Sequence, residues 1–332
     1  MTLASRLSIA ALALAATVLG SAAFAAVLPA NGDLLVIGTP LASPPVDDFW
    51  LMRVDPVAGT VDSLLKLPTG NGPVDFDMSP VNGLVYVLAR SSIYSVDLCT
   101  GAIATVSTGG YVASPQPPYM NLLAHSNGSL YISRPSATGG VIRVDAVSGA
   151  QTFLTSPYPA YPVTAYGLAE GPDHFVYAAT SGGSGSLPWV MRVDPVTGAS
   201  SVVASGVQST SVRDIAFDTR DSLFVLREGG APSVHRIDRV TGQVGLLTTL
   251  STAGATFGWM VGHPDGMLYT PQVTLASQGA IFRLNPVTKS FTAATTPQSA
   301  TMFECIALVR GFPGCVTPVR RSSWGQVKTT LR

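Results

Sequence analysis

The chain of 332 residues is 46% hydrophobic but only 11% charged, and it contains 33 glycines and 25 prolines. Its 19 basic and 19 acidic residues give a formal net charge of zero. Apart from the C-terminal segment, no run of basic residues interrupts this balance, so the sequence excludes the charged surface that nucleic-acid binding requires. The high glycine, proline and valine content is typical of an all-β protein with many turns.

The N-terminal segment, residues 1–25, has the features of a secretory signal peptide. Arg6 precedes an apolar run from residue 7 to residue 20, and Ala23-Phe24-Ala25 supplies a cleavage site of the small-x-small type. We expect cleavage after Ala25 and a secreted protein, either extracellular, periplasmic or on the cell surface. The alternative is an uncleaved membrane anchor, although the run is shorter than the ~20 residues that span a bilayer. No later segment is predicted to span a membrane.

One phrase recurs along the rest of the chain. It reads "LMRVDPVAGTVDSLL" from residue 51, "VIRVDAVSGAQTFL" from 141, "VMRVDPVTGASSVV" from 190 and "VHRIDRVTGQVGLL" from 234. Its anchor residue falls at six positions, Asp55, Asp97, Asp145, Asp194, Asp238 and Asn285, which lie 42, 48, 49, 44 and 47 residues apart. Each copy predicts two strands around a tight turn. In that turn Asp binds the backbone ahead of it, Pro presets φ and Gly adopts a left-handed conformation.

A second phrase of the same kind alternates with the first, as in "DFDMSPVNGLVYVL" (75–88) and "DIAFDTRDSLFVL" (214–226). One period therefore holds four short antiparallel strands, which we call a, b, c and d in chain order. Four strands repeated at this period are typical of a β-propeller blade.

The two ends of the repeat region complement each other. The mature chain opens with a strand b at 31–40 and closes with a strand a at 302–309. The sequence therefore predicts an all-β, six-bladed β-propeller of four-stranded antiparallel blades over residues 26–310. Its first strands b, c and d would join the C-terminal strand a, which leaves no open sheet edge at the closure. A basic C-terminal tail follows at 311–332.

The connections between strands differ on the two faces of this propeller. The a–b and c–d turns share one face, the turn face, and are short. The d–a and b–c connections share the opposite face, the loop face, and include long segments at 39–49, 108–119 and 156–166. Aromatic residues of the loop face and the channel mouth form the predicted ligand face: Trp50, Tyr111, Tyr119, Tyr158, Tyr161, Tyr166, Trp189 and Trp259. They indicate recognition of a protein, peptide or glycan. The alternative is that they only pack and stiffen the loops.

The mature chain has three cysteines, and secretion predicts a disulfide. Cys305 and Cys315 are closest in sequence, but Cys305 lies early in the last strand a, and the chain turns only at about residues 311–314. A hairpin there would leave the two cysteines farther apart than the ~7 Å Cα limit for a bridge. Cys99 lies in the c–d turn of the next blade, on the face where the tail emerges. We therefore predict a Cys99–Cys315 disulfide and a buried Cys305 thiol.

Polar residues are predicted to meet in the central channel. When the a strands are aligned on the Tyr or Phe that follows, one residue of each falls at the same height: Glu304, Asp75, Asn121, Gly167, Asp214 and Trp259. A cluster of carboxylates is costly to hold together unless a cation or water neutralises it. Four residues are therefore candidate metal ligands, namely Glu304, Asn121, Asp214 and Asp75. The alternative is that these side chains line a hydrated channel.

Two of the repeated phrases, "YGLAEGPDHFVYAAT" (166–180) and "RDIAFDTRDSLFVL" (213–226), resemble NHL-type repeats. They also resemble the relatives of those repeats, the gluconolactonase/regucalcin-like and virginiamycin B lyase-like propellers. The resemblance covers nearly the whole mature chain. It implies a divalent cation such as Ca²⁺ in the channel, which those lactonase-like propellers hold with one Glu, two Asn and one Asp. Glu304, Asn121 and Asp214 match that pattern, whereas Gly167 stands where the second Asn is expected.

Two main functions are compatible with these features. The first is a secreted, monomeric binding or interaction module that uses its loop face. The second is a metal-dependent, lactonase-type hydrolase that uses the channel mouth. A purely structural surface component is a third alternative. No complete catalytic set is visible in the sequence, so the binding module is the favoured interpretation, and its partner is not identified by the sequence.

Overall fold

We describe the protein from a computed structural model. The structure describes residues 28–40, 49–68, 72–109, 120–134, 140–155, 164–181, 189–205, 211–228, 231–250, 256–273, 279–296 and 301–315. These residues form 25 β-strands and no α-helix. Accordingly, no described segment provides a helix that could cross a membrane. The predicted signal peptide and residues 316–332 of the predicted tail lie outside the described residues.

The strands form six antiparallel sheets, which are the six blades of a propeller. Blade 1 contains β25 (Thr301–Leu308), β1 (Leu34–Pro40), β2 (Trp50–Val54) and β3 (Val61–Lys66). Blade 2 contains β4 (Pro73–Met78), β5 (Val85–Ala89), β6 (Ser92–Val96) and β7 (Ile103–Thr108). Blade 3 contains β8 (Leu122–Ala124), β9 (Ser129–Arg134), β10 (Gly140–Asp145) and β11 (Gln151–Thr155).

The remaining blades follow the same order. Blade 4 contains β12 (Thr164–Glu170), β13 (Val176–Ser181), β14 (Trp189–Val193) and β15 (Ser200–Ser205). Blade 5 contains β16 (Ser211–Phe217), β17 (Leu223–Glu228), β18 (Ser233–Ile237) and β19 (Val244–Thr249). Blade 6 contains β20 (Thr256–Phe257), β21 (Val261–Gly262), β22 (Leu268–Val273), β23 (Ile281–Leu284) and β24 (Phe291–Ala293). The predicted six-bladed propeller is therefore confirmed.

The repeated anchor residue builds the c–d turn of every blade. In blade 1, Asp55 Oδ1 accepts the backbone N–H groups of Val57 at 2.8 Å and Ala58 at 2.9 Å. Gly59 has a φ of 70° and donates its N–H to the Asp55 carbonyl at 2.8 Å. The same two side-chain bonds recur at the other five anchors, Asp97, Asp145, Asp194, Asp238 and Asn285. The repeated phrase thus specifies a turn, because these bonds satisfy backbone donors that have no strand partner.

The core of the protein lies between the blades. Within the described residues the buried apolar side chains form six clusters, and each cluster joins two neighbouring blades. Between blades 1 and 2, for example, Ile37 packs in one cluster with Phe76 and Met78. The second strand of a blade is buried on both of its sides, as β5 shows with five buried residues in succession. Each blade therefore depends on its neighbours, because both faces of its sheet are covered by another blade.

The ring closes where the last strand pairs with the first. β25 runs antiparallel to β1, with Leu308 opposite Leu34 and Thr301 opposite Pro40. Beyond the strand, Val309 exchanges backbone hydrogen bonds with the residues that precede β1, and Phe312 is buried in the cluster between blades 1 and 2. Residues 311–315 of the predicted tail therefore pack on the propeller.

A disulfide joins Cys99 to Cys315, with Cα atoms 5.2 Å apart. It links the end of the described chain to the c–d turn of blade 2, which is the pairing expected from the strand geometry. Cys305 is a buried thiol in the cluster between blades 1 and 2. The bridge therefore holds the segment that follows the closing strand.

We predict that loss of this bridge lowers the free energy of unfolding by up to about 5 kcal/mol, because it closes a loop of 216 residues in the unfolded chain. Urea unfolding of Cys99→Ser/Cys315→Ser against the oxidised wild type measures the difference. Reductant should bring the wild type to the midpoint of the double variant, whose own midpoint should not move. Equal midpoints for the oxidised wild type and the double variant would show that the bridge does not stabilise the closure.

Candidate functional site

The inner strands a of the blades surround a channel that contains a cavity of about 210 Å³. Its charged and amide side chains are Asp75, Asp77, Asn121, Glu170, Asp214 and Arg310. Each of them lies in or next to the innermost strand of a blade, and these strands border the channel. The convergence of polar groups in one concave space makes the channel the first candidate for a functional site.

The register of the closing strand changes the predicted ring. In blade 2, Asp75 lies opposite Leu88 of strand b. Ile37 is the residue of blade 1 that corresponds to Leu88, and it lies opposite Cys305. Glu304 is the additional residue of a β-bulge, since Cys305 pairs with Ile37 and Phe303 pairs with Gly38. The prediction that Glu304 shares the height of Asp75 is therefore wrong by one residue. Only the backbone of Glu304 belongs to the described structure.

The residues that do share this height bind the neighbouring blade. The backbone N–H of Leu122 donates to Asp75 Oδ2 at 2.7 Å, which joins blades 2 and 3. The N–H of Leu168 donates to Asn121 Oδ1 at 2.9 Å, which joins blades 3 and 4.

The same arrangement continues around the channel. The N–H of Met260 donates to Asp214 Oδ2 at 2.6 Å, which joins blades 5 and 6. The thiol of Cys305 donates to the Val74 carbonyl at 3.6 Å, which joins blades 1 and 2. Four of the six ring positions thus hydrogen-bond to strand a of the next blade. We call Asp75, Asn121, Asp214 and Cys305 the interblade ring.

Gly167 occupies its ring position because the next blade leaves no room for a side chain. A Cβ atom at Gly167 would lie 2.5 Å from both Cα and Oδ1 of Asp214. Real Cβ atoms essentially never approach this closely, so strand β12 and strand β16 require glycine here. The absence of the second Asn of the lactonase-like pattern is therefore a consequence of packing between blades 4 and 5.

Burial controls the protonation of the channel carboxylates. It raises the pKa of Asp214 to about 8, although the N–H groups of Met260 and Ile215 favour the charged form. Burial also raises the pKa of Asp75 well above its usual range, and the nearby Asp214 adds to this effect. The pKa of Asp77 is raised by burial as well, against the attraction of Arg310. Burial therefore favours the protonated forms of Asp75 and Asp214.

The described oxygens do not fit a divalent cation site. Ca²⁺ takes six to eight oxygen ligands at 2.3–2.6 Å, and its carboxylate ligands must be ionised. Both oxygens of Asp214 and the Oδ1 of Asn121 already accept backbone N–H groups. Asp75 Oδ1 is buried and has no hydrogen-bond partner, so it is the one ring oxygen left open among the described side chains. In the described residues no three His, Cys, Asp or Glu side chains form a metal-binding group.

The turn-face end of the channel carries a second set of polar residues. Arg310, which follows the closing strand, donates to Asp77 Oδ2 at 2.9 Å and to the Ala124 carbonyl at 3.0 Å. The N–H of Ala124 in turn donates to Asp77 Oδ2 at 2.9 Å. Arg310 therefore ties the closing blade to blades 2 and 3 at once.

A histidine, a serine and a glutamate meet beside this end of the channel. His174 Nδ1 lies 2.9 Å from Glu170 Oε1 and 3.2 Å from Ser126 Oγ, and Ser126 also donates to Glu170 directly. These bonds lower the pKa of Glu170, although burial alone would raise it. In a Ser-His-acid triad the serine and the acid bind opposite ring nitrogens. Here both contact Nδ1, so the group bridges blades 3 and 4 without forming a nucleophile.

Sequence reasoning assigned no role to this turn-face network, yet one signal marks it. His174 has a φ of 58°, a left-handed conformation that Gly128 and Gly266 supply in the equivalent turns of blades 3 and 6. A non-glycine residue at such a position is uncommon. Asp221, the equivalent residue of blade 5, has a φ of 59°, so blades 4 and 5 both depart from their sister copies, and this departure could have drawn attention to these turns.

The structure describes the predicted ligand face in part. Tyr111, Tyr119, Tyr158 and Tyr161 lie outside the described residues, and only the backbone of Trp189 is described. Trp50, Tyr166 and Trp259 are partly buried, and the two tryptophans pack against the core between blades 6 and 1. Tyr166 and Trp259, with Arg213, line a cavity of only about 10 Å³ at the loop-face end of the channel. This is about the space of one water molecule.

The comparisons with known proteins support the fold and do not assign a family. No family profile matches the chain, and no curated protein matches its sequence. Among solved structures, the chain is similar to one from a nidogen/laminin complex, with 13% identity and a TM-score of 0.64 over 84% of this chain and 98% of that one. It is also similar to TolB from Acinetobacter baumannii, with 14% identity and a TM-score of 0.63 over 85% of this chain and 68% of that one.

A third similar structure is regucalcin from Agrobacterium tumefaciens, described as a calcium-binding protein. It has 16% identity and a TM-score of 0.51 over 75% of this chain and 79% of that one. The resemblance to regucalcin-like propellers is thus confirmed for the fold. At this level of identity, likeness of fold does not carry function with it.

We predict that ionisation of Asp214 lowers the stability as the pH rises from about 5 to 8, against the opposite contributions of His125 and His235, whose pKa values burial lowers. The folded state holds a proton on Asp214 that the unfolded chain releases above its ordinary pKa of 3.8. The native state therefore binds more protons, and the slope for one proton is at most about 1.4 kcal/mol per pH unit. Urea unfolding at pH 5 and pH 8 measures the change. The Asp214→Asn variant cannot ionise at this position and should therefore lose less stability than the wild type between these two pH values. The Asp221→Asn variant, altered at an exposed residue, should behave like the wild type. A pH dependence identical in all three proteins would contradict the prediction.

Proposed function

We propose that the protein is a secreted binding module that recognises a protein, peptide or glycan through its loop face. The observation that carries the proposal is the engagement of the channel side chains. In the interblade ring every side-chain oxygen except Asp75 Oδ1 accepts a backbone N–H, as Asp214 Oδ2 does from Met260 at 2.6 Å. Groups held in this way support the scaffold, and they are poorly placed to bind or activate a substrate. The faces of the propeller then remain for recognition.

The narrow end of the channel supports the same proposal. Tyr166, Arg213 and Trp259 leave a cavity of about 10 Å³ among them, whereas small-molecule sites occupy about 300–1,000 Å³. A substrate that arrives at the loop face would therefore meet the side chains of Tyr166, Arg213 and Trp259 before the acids below them. Aromatic and arginine side chains at the centre of a surface suit contact with a macromolecule.

Secretion is part of the proposal. The disulfide between Cys99 and Cys315 is compatible with an oxidising compartment, where such bonds persist. One similar structure belongs to a nidogen/laminin complex, which gives an example of this fold within a protein–protein assembly. We propose that the mature chain acts as a monomer after removal of residues 1–25.

The proposal predicts that partner binding depends on the loop face. The immobilised mature protein is first used to select a ligand from a glycan array and from the native secreted fraction. Tyr158→Ser/Tyr161→Ser should then weaken binding of that ligand by roughly tenfold or more, since buried tyrosines dominate interface energetics. The matched control is Val147→Ser/Val196→Ser, which alters two turn-face valines that are 96% and 71% exposed.

Biolayer interferometry with the three proteins separates the outcomes. The control should bind within about twofold of the wild type, since exposed side chains outside an interface contribute little. Loss of binding in the control, with full binding by the tyrosine variant, would contradict the proposal. A wild-type protein that retains no ligand from either source would contradict it too.

The second candidate is a metal-dependent, lactonase-type hydrolase at the channel mouth. Asp75 Oδ1 favours it, because a buried carboxylate oxygen without a partner is an acceptor for a cation or a donor group. The occupied oxygens of Asp214 and Asn121 oppose it.

Calorimetry and a lactone assay decide between the two candidates. Under the binding-module proposal, Ca²⁺, Mg²⁺, Mn²⁺ and Zn²⁺ should bind no tighter than about 1 mM, because Asp75 Oδ1 is the one described ring oxygen without a hydrogen-bond partner and a divalent cation needs several ligands. Lactones should show no metal-dependent hydrolysis. Tight binding or turnover that disappears in Asp75→Asn but persists in Asp221→Asn would establish the hydrolase and overturn the proposal.

A further inference from the structure

A groove of about 940 Å³ lies between blades 4 and 5 on the turn face, away from both the channel and the loop face. Strand β15 and the a–b turn of blade 5 line it, together with the c–d turn of blade 5. Four arginines are part of its lining: Arg192, Arg220, Arg236 and Arg239. A groove of this size can hold a ligand of several rings.

Two of these arginines, Arg192 and Arg220, are held in place by carboxylates. Arg192 Nε donates to Asp173 at 2.8 Å, and its guanidinium lies 3.2 Å from the centre of the Phe175 ring. Arg220 is bonded to the fully buried Asp218 at 3.2 Å, yet 53% of its own side chain is exposed. Fixed guanidinium groups bind an anion at lower entropic cost than mobile ones.

The other two arginines carry charge that no carboxylate neutralises by direct contact. Arg236 donates to Ser222 Oγ at 3.0 Å, and Arg239 lies over the Phe217 ring at 5.4 Å. Among the described residues neither forms an ion pair within 4.0 Å. Arg239 also has a side-chain hydrogen bond with Tyr177. The charges of both guanidinium groups, and their remaining N–H groups, are therefore available to an anionic ligand.

The sister blades show that this charge is a departure from the repeat. In four blades the position equivalent to Arg220 carries Asn or Asp hydrogen-bonded to the tyrosine hydroxyl of strand b. The pairs are Asn82 with Tyr86, Asn127 with Tyr131, Asp173 with Tyr177, and Asp265 with Tyr269. Blade 5 has Phe224 in place of the tyrosine, so no hydroxyl needs a partner there. Residue 220 therefore has no tyrosine hydroxyl to bind, and in blade 5 this residue is an arginine.

Arg239 departs from the repeat in the same blade. The equivalent position, directly after the anchor residue of the c–d turn, holds Pro56, Pro195 and Pro286 in blades 1, 4 and 6, and Leu98 and Ala146 in blades 2 and 3, so Arg239 is the one charged residue among the six. Proline presets the turn there, so the arginine gives up a local advantage. Two such departures in blade 5, both lining one groove, are unnecessary for the fold that the other blades achieve without them.

The lining also defines the chemistry of the ligand. Asp221, Asp238, Ser222 and Gln243 stand among the arginines and offer acceptors and donors for hydroxyl groups. A dense polyanion would bring its charges against the three aspartates of the lining, Asp173, Asp221 and Asp238. A ligand with sparse carboxylates and many hydroxyls would satisfy both sets of groups.

We propose that the groove between blades 4 and 5 binds an acidic oligosaccharide, whose carboxylates contact Arg220, Arg236 and Arg239 and whose hydroxyls contact the neighbouring polar side chains. This site is independent of the proposed loop-face function, since it lies on the opposite face and shares no residue with it.

Trigalacturonate is the probe, with maltotriose as its neutral counterpart and a hexaglutamate peptide as an acidic ligand without hydroxyls. Calorimetry with the mature wild type should show binding of trigalacturonate below about 1 mM and none of maltotriose. Arg220→Asn/Arg239→Pro restores the residues of the sister blades and should weaken binding by about tenfold or more. Arg220→Asn/Arg239→Ala, with the alanine that blade 3 has at this position, serves if the proline perturbs the turn.

The control removes two positive charges elsewhere. Arg143→Gln/Arg283→Gln changes the arginines that correspond to Arg192 and Arg236 in blades 3 and 6, and it should bind trigalacturonate within about twofold of the wild type. Three results would each overturn the proposal. They are no binding of trigalacturonate at 1 mM, equal or tighter binding of hexaglutamate, and equal loss of affinity in the control and in the groove variants.

Discussion

The structure depends on the antiparallel pairing of β25 with β1. Without this pairing, blade 1 would lack its inner strand, and the clusters that it shares with blades 2 and 6 would lose residues such as Phe303, Cys305 and Ala307. Because every blade is covered on both faces by its neighbours, an open ring would expose two apolar faces and two sheet edges. The additional bonds of this region, from Arg310 to Asp77 and from Cys315 to Cys99, serve the same closure.

The closed ring also explains the polar channel. Six innermost strands converge on the axis, and their adjacent backbones do not form a continuous sheet, so their N–H groups need other acceptors. Asp75, Asn121 and Asp214 supply them across the blade boundaries. Polar side chains that resemble a metal site in composition can thus serve to join neighbouring blades. Function is then expected where copies of the repeat differ without structural need, as at Arg220 and Arg239.

The sequence was sufficient for the architecture, the blade number and the disulfide, because all three follow from repeat spacing and strand order. It was insufficient for the channel, since the alignment of β25 on the other strands a is wrong by one residue: Cys305, and not Glu304, corresponds to Asp75 and Asp214. Nor could it show that Asp214 binds Met260, because that contact spans 46 residues and two blades. The groove between blades 4 and 5 was missed for the same reason: its four arginines come from three separate segments of the chain.

The channel side chains hold neighbouring blades together. Amide hydrogen exchange, followed by NMR, tests it most directly at the N–H groups of Leu122, Leu168 and Met260. Although these amides have no strand partner, we predict that they exchange only through global unfolding, with the same free energy of opening as the amides of Leu35 and Ala307 in the closing sheet. Exchange through local opening, at rates orders of magnitude faster than in the closing sheet, would show that the side-chain acceptors are engaged elsewhere and would contradict the claim.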